Sequence, residues 1–325
     1  MKRVSDTFYS KIEDFISKIK TIYSRQSEDI LAYMYNPAKE VFRILNYADK
    51  NKVLNSLVKQ GFNIKELFDF QKDINKQFYF VISNANGIKI TDTPEFCNKD
   101  IYIQQASSAL PVLALDLYKD NTILDLCAAP GSKAIQMYGY LDGYCKLYLV
   151  EKNRDRYFKM LKLLKDYKVH CFTSILIDGN KLYKSYPSLI NYFDRVLVDA
   201  PCSNESNLVI SKPSTFKYWS KTEPKKITKL QKGLINSGFK FLKKNGIMVY
   251  STCTFSVEEN EEVIDWFLEK NPSAKLLDFD LNIDNYIDGF VSYKGKKFKQ
   301  LLTKTKRIIP NGVYTGFFIA KITKV

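Results

Sequence analysis

The chain has 325 residues, a hydrophobic fraction of 45% and a formal net charge of +15 at pH 7. The length and the apolar content favour two folded domains with a substantial core and argue against an intrinsically disordered chain. The charge arises from 50 Lys and Arg against 35 Asp and Glu. Such an excess favours a polyanionic partner such as a nucleic acid, with a lysine-rich soluble surface as the alternative.

The cysteine and histidine content argues against a disulfide framework and against a metal site. Six cysteines occur without framework spacing, no Cys-x-x-Cys is present, and His170 is the only histidine. A zinc site needs clustered ligands, so we expect no metal, and unpaired thiols suit a reducing compartment. No stretch resembles a membrane span or a signal core. We therefore expect a cytoplasmic monomer without membrane contact, while a nuclear or organellar location stays open.

The first hundred residues predict two helices followed by a small α/β unit. Apolar residues recur there at helical spacing or in short strand-like runs. Predicted helices cover 5–20, 28–35 and 50–60, and predicted strands cover 41–45, 78–82 and 88–90. We therefore predict N-terminal helices over 1–40 and a small α/β domain over 41–100.

From residue 121 onward, strand-like and helix-like segments alternate regularly. Predicted strands cover 123–126, 147–150, 174–177, 195–198, 246–250 and 317–320. Predicted helices cover 133–140, 154–167, 224–243 and 258–270. This alternation is typical of a doubly wound parallel sheet with helices on both faces. We therefore predict a Rossmann-like α/β domain over 101–325.

A segment from Asp125 to Lys133 follows the first of these strands and opens a helix, which is where a Rossmann sheet binds nucleotide-like ligands. Its sequence, Asp-Leu-Cys-Ala-Ala-Pro-Gly-Ser-Lys, contains one glycine, Gly131. A dinucleotide fingerprint needs three spaced glycines, and a P-loop needs Gly-Lys-Ser or Gly-Lys-Thr. The loop therefore favours a cofactor without phosphates, with S-adenosylmethionine as the leading candidate.

Two acidic residues at the ends of the following strands support this interpretation. Glu151 ends the second strand and can accept hydrogen bonds from both ribose hydroxyls. Asp178 ends the third strand and can accept a hydrogen bond from the adenine amino group. Acids at such positions are also common caps and turn formers, so that alternative stays open for each residue alone.

Two cysteines follow apolar runs that are typical of buried parallel strands. Cys202 lies in Asp199-Ala200-Pro201-Cys202-Ser203, and Cys253 lies in Tyr250-Ser251-Thr252-Cys253-Thr254. Ligands bind beyond the carboxyl ends of strands in such sheets, so we expect both thiols and Asp199 to face one crevice. A buried structural thiol is the alternative for each cysteine.

Three blocks, 127–133, 199–203 and 251–254, resemble the Sun/Fmu-type (NOL/NOP/Sun) family of RNA cytosine-5 methyltransferases. Further likeness at 102–108, 258–261 and 316–321 extends the resemblance from roughly residue 41 to the C-terminus. The chain also departs from the family pattern. Ser132 stands where the family usually has a second glycine, and Asn204 stands where a glycine often follows Pro-Cys-Ser. Neither departure removes a reacting group.

The resemblance implies a class I S-adenosylmethionine-dependent methyltransferase fold and a small RNA-binding domain over 41–100. Carbon 5 of cytosine is a weak nucleophile, and addition of a thiolate to carbon 6 activates it. DNA cytosine methyltransferases attack with the Pro-Cys cysteine and carry a Glu-Asn-Val, which this chain lacks. The RNA family attacks with the Thr-Cys cysteine. Cys253 is then the nucleophile, and Cys202 assists breakdown of the adduct.

The resemblance also assigns the remaining site residues and the partner. Asp199 would bond the cytosine's ring nitrogen if protonated or its amino group if ionised. The implied cofactor-binding residues are Cys127, Ala128, Ala129, Pro130, Gly131, Ser132, Lys133, Glu151, Asp178 and Asp199. The implied partner is tRNA or rRNA, and the compact chain favours tRNA. An rRNA methyltransferase, or a non-catalytic RNA-binding or ribosome-assembly protein that retains the fold, are the alternatives.

Two lysine-rich clusters are candidate RNA contacts, because basic side chains can follow a phosphate backbone while aromatic rings stack on bases. The first cluster comprises Lys212, Lys217, Lys221, Lys225, Lys226, Lys229 and Lys232, interleaved with Phe216, Tyr218 and Trp219. The second comprises Lys294, Lys296, Lys297, Lys299, Lys304, Lys306 and Arg307. A solvated protein surface is the alternative for each cluster.

Overall fold

Two N-terminal helices pack on the large domain of the protein. The computed structural model describes residues 2–67 and 78–325, apart from the side chains of residues 2–8, 223, 225 and 226. The helices are α1 (Lys2–Tyr23) and α2 (Ser27–Met34), close to the predicted ranges. Phe15 and Ile19 of α1 share one hydrophobic core with Phe216 and Phe255 of the large domain. The N-terminal helices therefore belong structurally to the part of the chain that carries the two cysteines.

A small antiparallel sheet follows the N-terminal helices. Its described elements are β1 (Val41–Ile44), α3 (Lys50–Lys59), β2 (Phe62–Glu66), β3 (Phe78–Asn84), α4 (Pro94–Cys97) and β4 (Ile101–Ile103). The strand order is β2-β3-β1-β4. β4 pairs with β1, so this sheet extends beyond residue 100. The division into domains at that residue remains a prediction.

The prediction of a strand over 88–90 is wrong. Residues Ile90–Asp92 form a single 3₁₀ turn instead, and Pro94 begins α4 directly after it. The Thr93 hydroxyl donates to the Ile90 carbonyl and accepts from the Phe96 amide, which closes the turn and caps α4. Local side-chain capping therefore overrides the short apolar run at this position.

The large domain alternates strands and helices as predicted, ahead of a more irregular C-terminal part. Its first strands are β5 (Thr122–Asp125), β6 (Lys146–Glu151), β7 (Phe172–Leu176), β8 (Phe193–Asp199) and β9 (Leu242–Thr252). Its helices are α5 (Ala106–Leu113), α6 (Ser132–Tyr140), α7 (Arg154–Asp166), α8 (Leu182–Ser185), α9 (Glu223–Phe241) and α10 (Glu261–Lys270). The last strands are β10 (Ala274–Leu276), β11 (Tyr286–Asp288), β12 (Ser292–Tyr293), β13 (Lys296–Lys297), β14 (Lys306–Ile308) and β15 (Phe317–Lys324).

The topology of the large sheet places a ligand crevice beside β5. Its strand order is β11-β14-β15-β9-β8-β5-β6-β7, with β10 paired to β15. The five strands from β7 to β9 are parallel, and β15 runs antiparallel to β9. The chain winds outward from β5 in both directions, so the switch point lies between β5 and β8. The Rossmann-like doubly wound fold is confirmed.

α10 begins three residues later than predicted, at Glu261 instead of Glu258. The backbone of Asn260 is not helical, with φ −107° and ψ −95°. Glu259 and Asn260 are both fully buried, and their side chains hydrogen-bond to the two loops that carry Cys202 and Cys253. These contacts replace the first turn of the predicted helix.

Candidate active site

Cys202 and Cys253 meet at the carboxyl ends of β8 and β9. Their Sγ atoms lie 3.2 Å apart, both residues are half-buried, and both thiols are free. The Cys253 thiol also donates to Asn204 Oδ1 at 3.0 Å. The hydrogen bond with Cys253, together with burial, raises the pKa of Cys202 well above its usual range. Cys202 therefore remains a protonated thiol at neutral pH, with the Cys253 sulfur 3.2 Å away.

Asp199 lies in the same crevice, where it is fixed by two donors. Its Oδ2 accepts from Lys133 Nζ at 2.6 Å, and its Oδ1 accepts from the Ser251 hydroxyl at 2.7 Å. Lys133 is buried and also donates to the Ser108 hydroxyl at 2.8 Å. Burial acts to lower the pKa of Lys133, but the adjacent Asp199 carboxylate outweighs it and the pKa is raised. Lys133 and Ser251 therefore hold one carboxylate oxygen of Asp199 each, and both oxygens keep a lone pair for a further donor.

The loop between β5 and α6 is shaped by close packing of its backbone. Gly131 adopts φ +110°, and a Cβ atom there would lie 3.3 Å from the Met160 side chain of α7. The Cys127 amide donates to Asp125 Oδ1, and the Ala128 amide donates to the Val150 carbonyl. Burial raises the pKa of Asp125 to about 7, against the opposing effect of the Cys127 hydrogen bond. The single glycine therefore serves a tight turn over α7.

A cleft beside this loop brings Glu151 and Asp178 together. Its lining residues are Leu126, Cys127, Glu151, Lys152, Arg156, Asp178, Gly179, Pro201, Leu230 and Leu234. Glu151 is buried and accepts from the Asn153 amide at 2.8 Å. Asp178 accepts from the Asn180 amide at 3.0 Å through one carboxylate oxygen. Two carboxylates beside the apolar side chains of α9 fit the hydroxyls, amino group and ring of an adenosine, as S-adenosylmethionine requires.

Not every predicted cofactor residue lies in this cleft. Cys127, Glu151 and Asp178 line it, whereas Ala128 and Ala129 are buried in the core beneath the loop. Pro130 follows Ala129 through a cis peptide bond. Lys133 points instead to Asp199, between the cleft and the two cysteines. The predicted cofactor residues therefore divide into those that line the cleft and those, such as Lys133, that do not.

A buried network that the sequence patterns did not predict fixes the Cys202 loop. Glu259 accepts from the Ser203 amide at 2.9 Å and from Gln231 Nε2 at 2.9 Å. Gln231 also donates to the Pro201 carbonyl at 3.0 Å. Glu259 lies in the 258–261 block that resembles the methyltransferase family. That block was the only sequence feature that pointed to this residue. The Glu259 carboxylate fixes the conformation of the Cys202 loop and does not contact the thiols of Cys202 and Cys253.

Comparison with known proteins identifies the family. Residues 112–323 match the family model described as 16S rRNA methyltransferase RsmB/F. The chain belongs to this RsmB/F family of methyltransferases. It is also 32% identical to tRNA (cytosine(49)-C(5))-methyltransferase of Pyrococcus abyssi, over 97% of this chain and 94% of that protein.

An rRNA methyltransferase matches over a smaller share of its own length, whereas two solved structures match over nearly all of theirs. The chain is 31% identical to 28S rRNA (cytosine-C(5))-methyltransferase of Mus musculus, over 82% of this chain and 33% of that protein. Among solved structures, a methyltransferase homolog protein of Pyrococcus horikoshii is similar with a TM-score of 0.78 and 26% identity, covering 98% of this chain and 99% of that one. NSun6 of the same organism, solved with SFG, shares the fold with a TM-score of 0.74 at 18% identity, covering 96% and 97%.

The two departures from the family pattern have local structural partners. Asn204 adopts the left-handed conformation with φ +57°, which glycine tolerates best and asparagine better than most other residues. The Asn204 side chain also accepts a hydrogen bond from the Cys253 thiol. The Ser132 hydroxyl lies 2.6 Å from the Tyr102 hydroxyl, so the added side chain has a hydrogen-bonding partner. Both substitutions therefore fit the family backbone.

The second basic cluster is largely occupied by ion pairs within the protein. Arg307 is buried and paired with Glu261, and Lys306 lies 2.9 Å from Asp288. Lys296 and Lys299 are paired with Glu262 and Asp265 at 3.2 Å and 3.5 Å. In the first cluster, Lys221 is paired with Asp14, whereas Lys217 lies over the highly exposed ring of Tyr218. Phe216 and Trp219 are buried in the core, so the expectation that these two rings stack on bases is wrong, and Tyr218 is the exposed ring among the three.

The described residues contain neither a metal-binding group nor a membrane-spanning helix. Within residues 2–67 and 78–325, no group of three or more His, Cys, Asp or Glu side chains could hold a metal ion. No helix in this part of the chain has the length and apolarity needed to cross a membrane.

Proposed function

We propose that this protein transfers a methyl group from S-adenosylmethionine to carbon 5 of a cytosine in tRNA. The observation that carries the proposal is the pair of thiols 3.2 Å apart, beside Asp199 at the ends of β8 and β9. Cys253, the thiol bonded to Asn204, is the proposed nucleophile. When bound, the cofactor supplies an electrophilic methyl group, with Glu151 and Asp178 holding its adenosine part.

Cys253 activates the base by addition. Its thiolate forms a bond to carbon 6, and the electron pair of the carbon 5–carbon 6 double bond becomes available at carbon 5 for the methyl group. In this proposal Asp199 accepts a hydrogen bond from the cytosine amino group. Lys133 and Ser251 fix its two oxygens, and each oxygen keeps a second lone pair for that contact. This contact orients the base and distinguishes cytosine from uracil, which presents a carbonyl oxygen at that position.

Cys202 completes the reaction by accepting a proton. After methylation, carbon 5 must lose its proton so that the double bond reforms and the Cys253 sulfur leaves carbon 6. The largest cause of the raised pKa of Cys202 is its hydrogen bond with Cys253. Once Cys253 is bonded to the base, that hydrogen bond is lost and the pKa of Cys202 falls. With its pKa lowered, Cys202 can release its own proton to solvent and, as a thiolate, take the proton from carbon 5. The electron pair of that C–H bond then reforms the carbon 5–carbon 6 double bond and expels the Cys253 thiolate.

Chain coverage supports tRNA over rRNA as the substrate. The alignment with the tRNA methyltransferase of Pyrococcus abyssi covers 94% of that protein, whereas the alignment with the mouse 28S rRNA methyltransferase covers 33%. The first lysine cluster would then contact the tRNA backbone through charge.

The test uses the full chain with purified tRNA and rRNA from one source. Each RNA is incubated with isotopically labelled S-adenosylmethionine and then analysed by bisulfite sequencing. We expect 5-methylcytosine at a defined tRNA position and none in rRNA. Methylation of rRNA alone would overturn the choice of tRNA, and no cytosine-5 methylation in either RNA would overturn the proposed activity.

A further inference from the structure

Two buried carboxylates flank Thr254, the residue after the proposed nucleophile. The Thr254 hydroxyl lies 2.9 Å from Glu205 Oε2 and 3.5 Å from Glu259 Oε1. It also lies 2.8 Å from the hydroxyl of Ser203, which follows Cys202. Glu205 and Glu259 are fully buried. The Thr254 hydroxyl therefore links the Cys253 loop to the Cys202 loop, and its geometry depends on these two acids.

Glu205 also follows Asn204, whose side chain accepts the Cys253 thiol at 3.0 Å. The backbone of Asn204 is left-handed, and Glu205 is the next residue in the chain. The nucleophile loop therefore contacts this short segment twice, through Thr254 on Glu205 and through the Cys253 thiol on Asn204.

The N-terminal helix supplies the cation that compensates Glu205. Lys18 Nζ of α1 lies 2.5 Å from Glu205 Oε1, and Trp219 Nε1 donates to the same oxygen at 3.0 Å. The Lys18 side chain is 90% buried, and Phe15, one turn earlier, packs edge-on against Trp219. In the part of the chain that the structure describes, Lys18 is the cation paired with Glu205. A fully buried carboxylate without such a partner is strongly unfavourable.

We propose that Lys18 is a positioning residue for methyl transfer. It holds the Glu205 carboxylate between the Cys202 and Cys253 loops and thereby fixes the direction of the Cys253 thiol. Lys18 lies outside the 112–323 region that matches the family model, so the N-terminal helix of this chain forms part of its catalytic unit. This inference rests on the proposed function for its kinetic readout.

Four variants separate the charge of Lys18 from its packing. Lys18→Met removes the charge and keeps an apolar stem, and Lys18→Arg keeps the charge. Lys18→Met combined with Glu205→Gln removes both charges. The amide oxygen can accept from Trp219 Nε1, and the amide NH2 can donate to the Thr254 hydroxyl on the other side. Lys20→Met is the matched control, because Lys20 lies on the same helix and is exposed.

Lys18→Met is expected to lower kcat by at least about tenfold relative to Lys20→Met, since small misplacements of a reacting group cost up to about 100-fold in rate. KM for tRNA and Kd for S-adenosylmethionine should stay within about twofold of the control, because Lys18 touches neither proposed site. Lys18→Arg and the double variant should recover most of the lost kcat. Equal kcat in Lys18→Met and Lys20→Met would overturn the proposal. A folded double variant as inactive as Lys18→Met would also overturn the proposal. If Lys18→Met does not fold, the double variant is compared with Lys20→Met instead, and a kcat at least about tenfold lower in the folded double variant would overturn the proposal.

A second readout needs no RNA and stays informative if the wild-type protein methylates none. Iodoacetamide alkylates Cys253, and mass spectrometry of the peptide gives the rate. This rate depends directly on the local environment of the Cys253 thiol. We expect Lys18→Met to change this rate by about threefold or more relative to Lys20→Met, and the double variant to restore it. No RNA methylation by the wild type would refute the proposed function alone, whereas unchanged alkylation in Lys18→Met would refute the role of Lys18.

Discussion

At the scale of single residues, Cys202 and Cys253 differ in their surroundings. Cys253 lies against an asparagine oxygen, whereas Cys202 is held protonated by its neighbour and by burial. The apolar runs before each cysteine were enough to predict that the thiols converge at strand ends. Their different environments depend on Asn204 and Glu259, whose positions the sequence marked but whose hydrogen bonds to the Cys253 thiol and to the Cys202 loop it did not predict. Convergence was therefore predictable, whereas the surroundings of each thiol were not.

Substitution of each cysteine should separate attack from release. Cys253→Ala is expected to reduce methylation below detection, because no thiol remains to add to carbon 6. Cys202→Ala should still form the carbon 6 bond but release it slowly, so a covalent protein–RNA complex accumulates. A gel shift in denaturing conditions, lost on nuclease treatment, measures the complex. The reverse pattern, with a complex in Cys253→Ala, would assign attack to Cys202.

The raised pKa of Cys202 gives a pH dependence that can be measured on the protein alone. The thiolate is the reactive form, so alkylation of Cys202 by iodoacetamide should keep rising with pH above the usual thiol range near about 8.5. Cys253→Ala removes the largest cause of the raised pKa, so the rise should occur at lower pH in that variant. Mass spectrometry of the Cys202 peptide gives both profiles. Identical profiles would contradict the coupling of the two thiols.

At the scale of elements, the regular part of the fold was predictable and the irregular part was not. Three central parallel strands are short and mostly buried, and they end in acids: β5 in Asp125, β6 in Glu151 and β8 in Asp199. β2 was missed because only Phe62 of that strand is buried, so it lacks a continuous apolar pattern. The start of α10 was misplaced because Glu259 and Asn260 bond to the cysteine loops.

The end of β7 and the face of α9 together make a prediction about cofactor affinity. Asp178→Ala removes a charged acceptor that faces Leu230 and Leu234 across the cleft. We expect its Kd for S-adenosylmethionine to rise by roughly 10- to 100-fold, as for loss of a hydrogen bond to a charged group. Asp178→Asn, which keeps an acceptor oxygen, is the control and should lose less. Isothermal titration calorimetry without RNA measures both, and an unchanged Kd in Asp178→Ala would exclude this contact.

At the scale of the whole molecule, Arg307 joins distant parts of the chain in one buried contact. It lies on β14, pairs with Glu261 at the start of α10, and donates to the Tyr23 hydroxyl of α1 and to the Phe255 carbonyl. The charge cluster around Arg307 suggested an RNA contact from sequence, because composition does not distinguish a buried cation from an exposed one. The structure assigns Arg307 to the interior, where it stabilises the packing of the N-terminal helix.

Removal of this arginine should therefore cost stability. Arg307→Met leaves Glu261 as a buried unpaired carboxylate, so we expect the free energy of unfolding to fall by about 3–5 kcal/mol. Lys297→Met, from the same basic cluster but exposed, should change it by less than about 0.5 kcal/mol. Urea denaturation followed by circular dichroism measures both variants. A loss below about 1 kcal/mol in Arg307→Met would refute the structural role of the pair.

The most direct test of the central claim is to identify the atom that the protein joins to its substrate. The wild-type protein is incubated with S-adenosylmethionine and tRNA that contains 5-fluorocytidine, whose fluorine cannot leave as a proton does, so the adduct is trapped. Protease digestion and mass spectrometry then locate the modified residue. We predict a peptide in which Cys253 carries the cytosine through carbon 6. A nucleotide on Cys202, or no covalent adduct with any tRNA, would contradict the account.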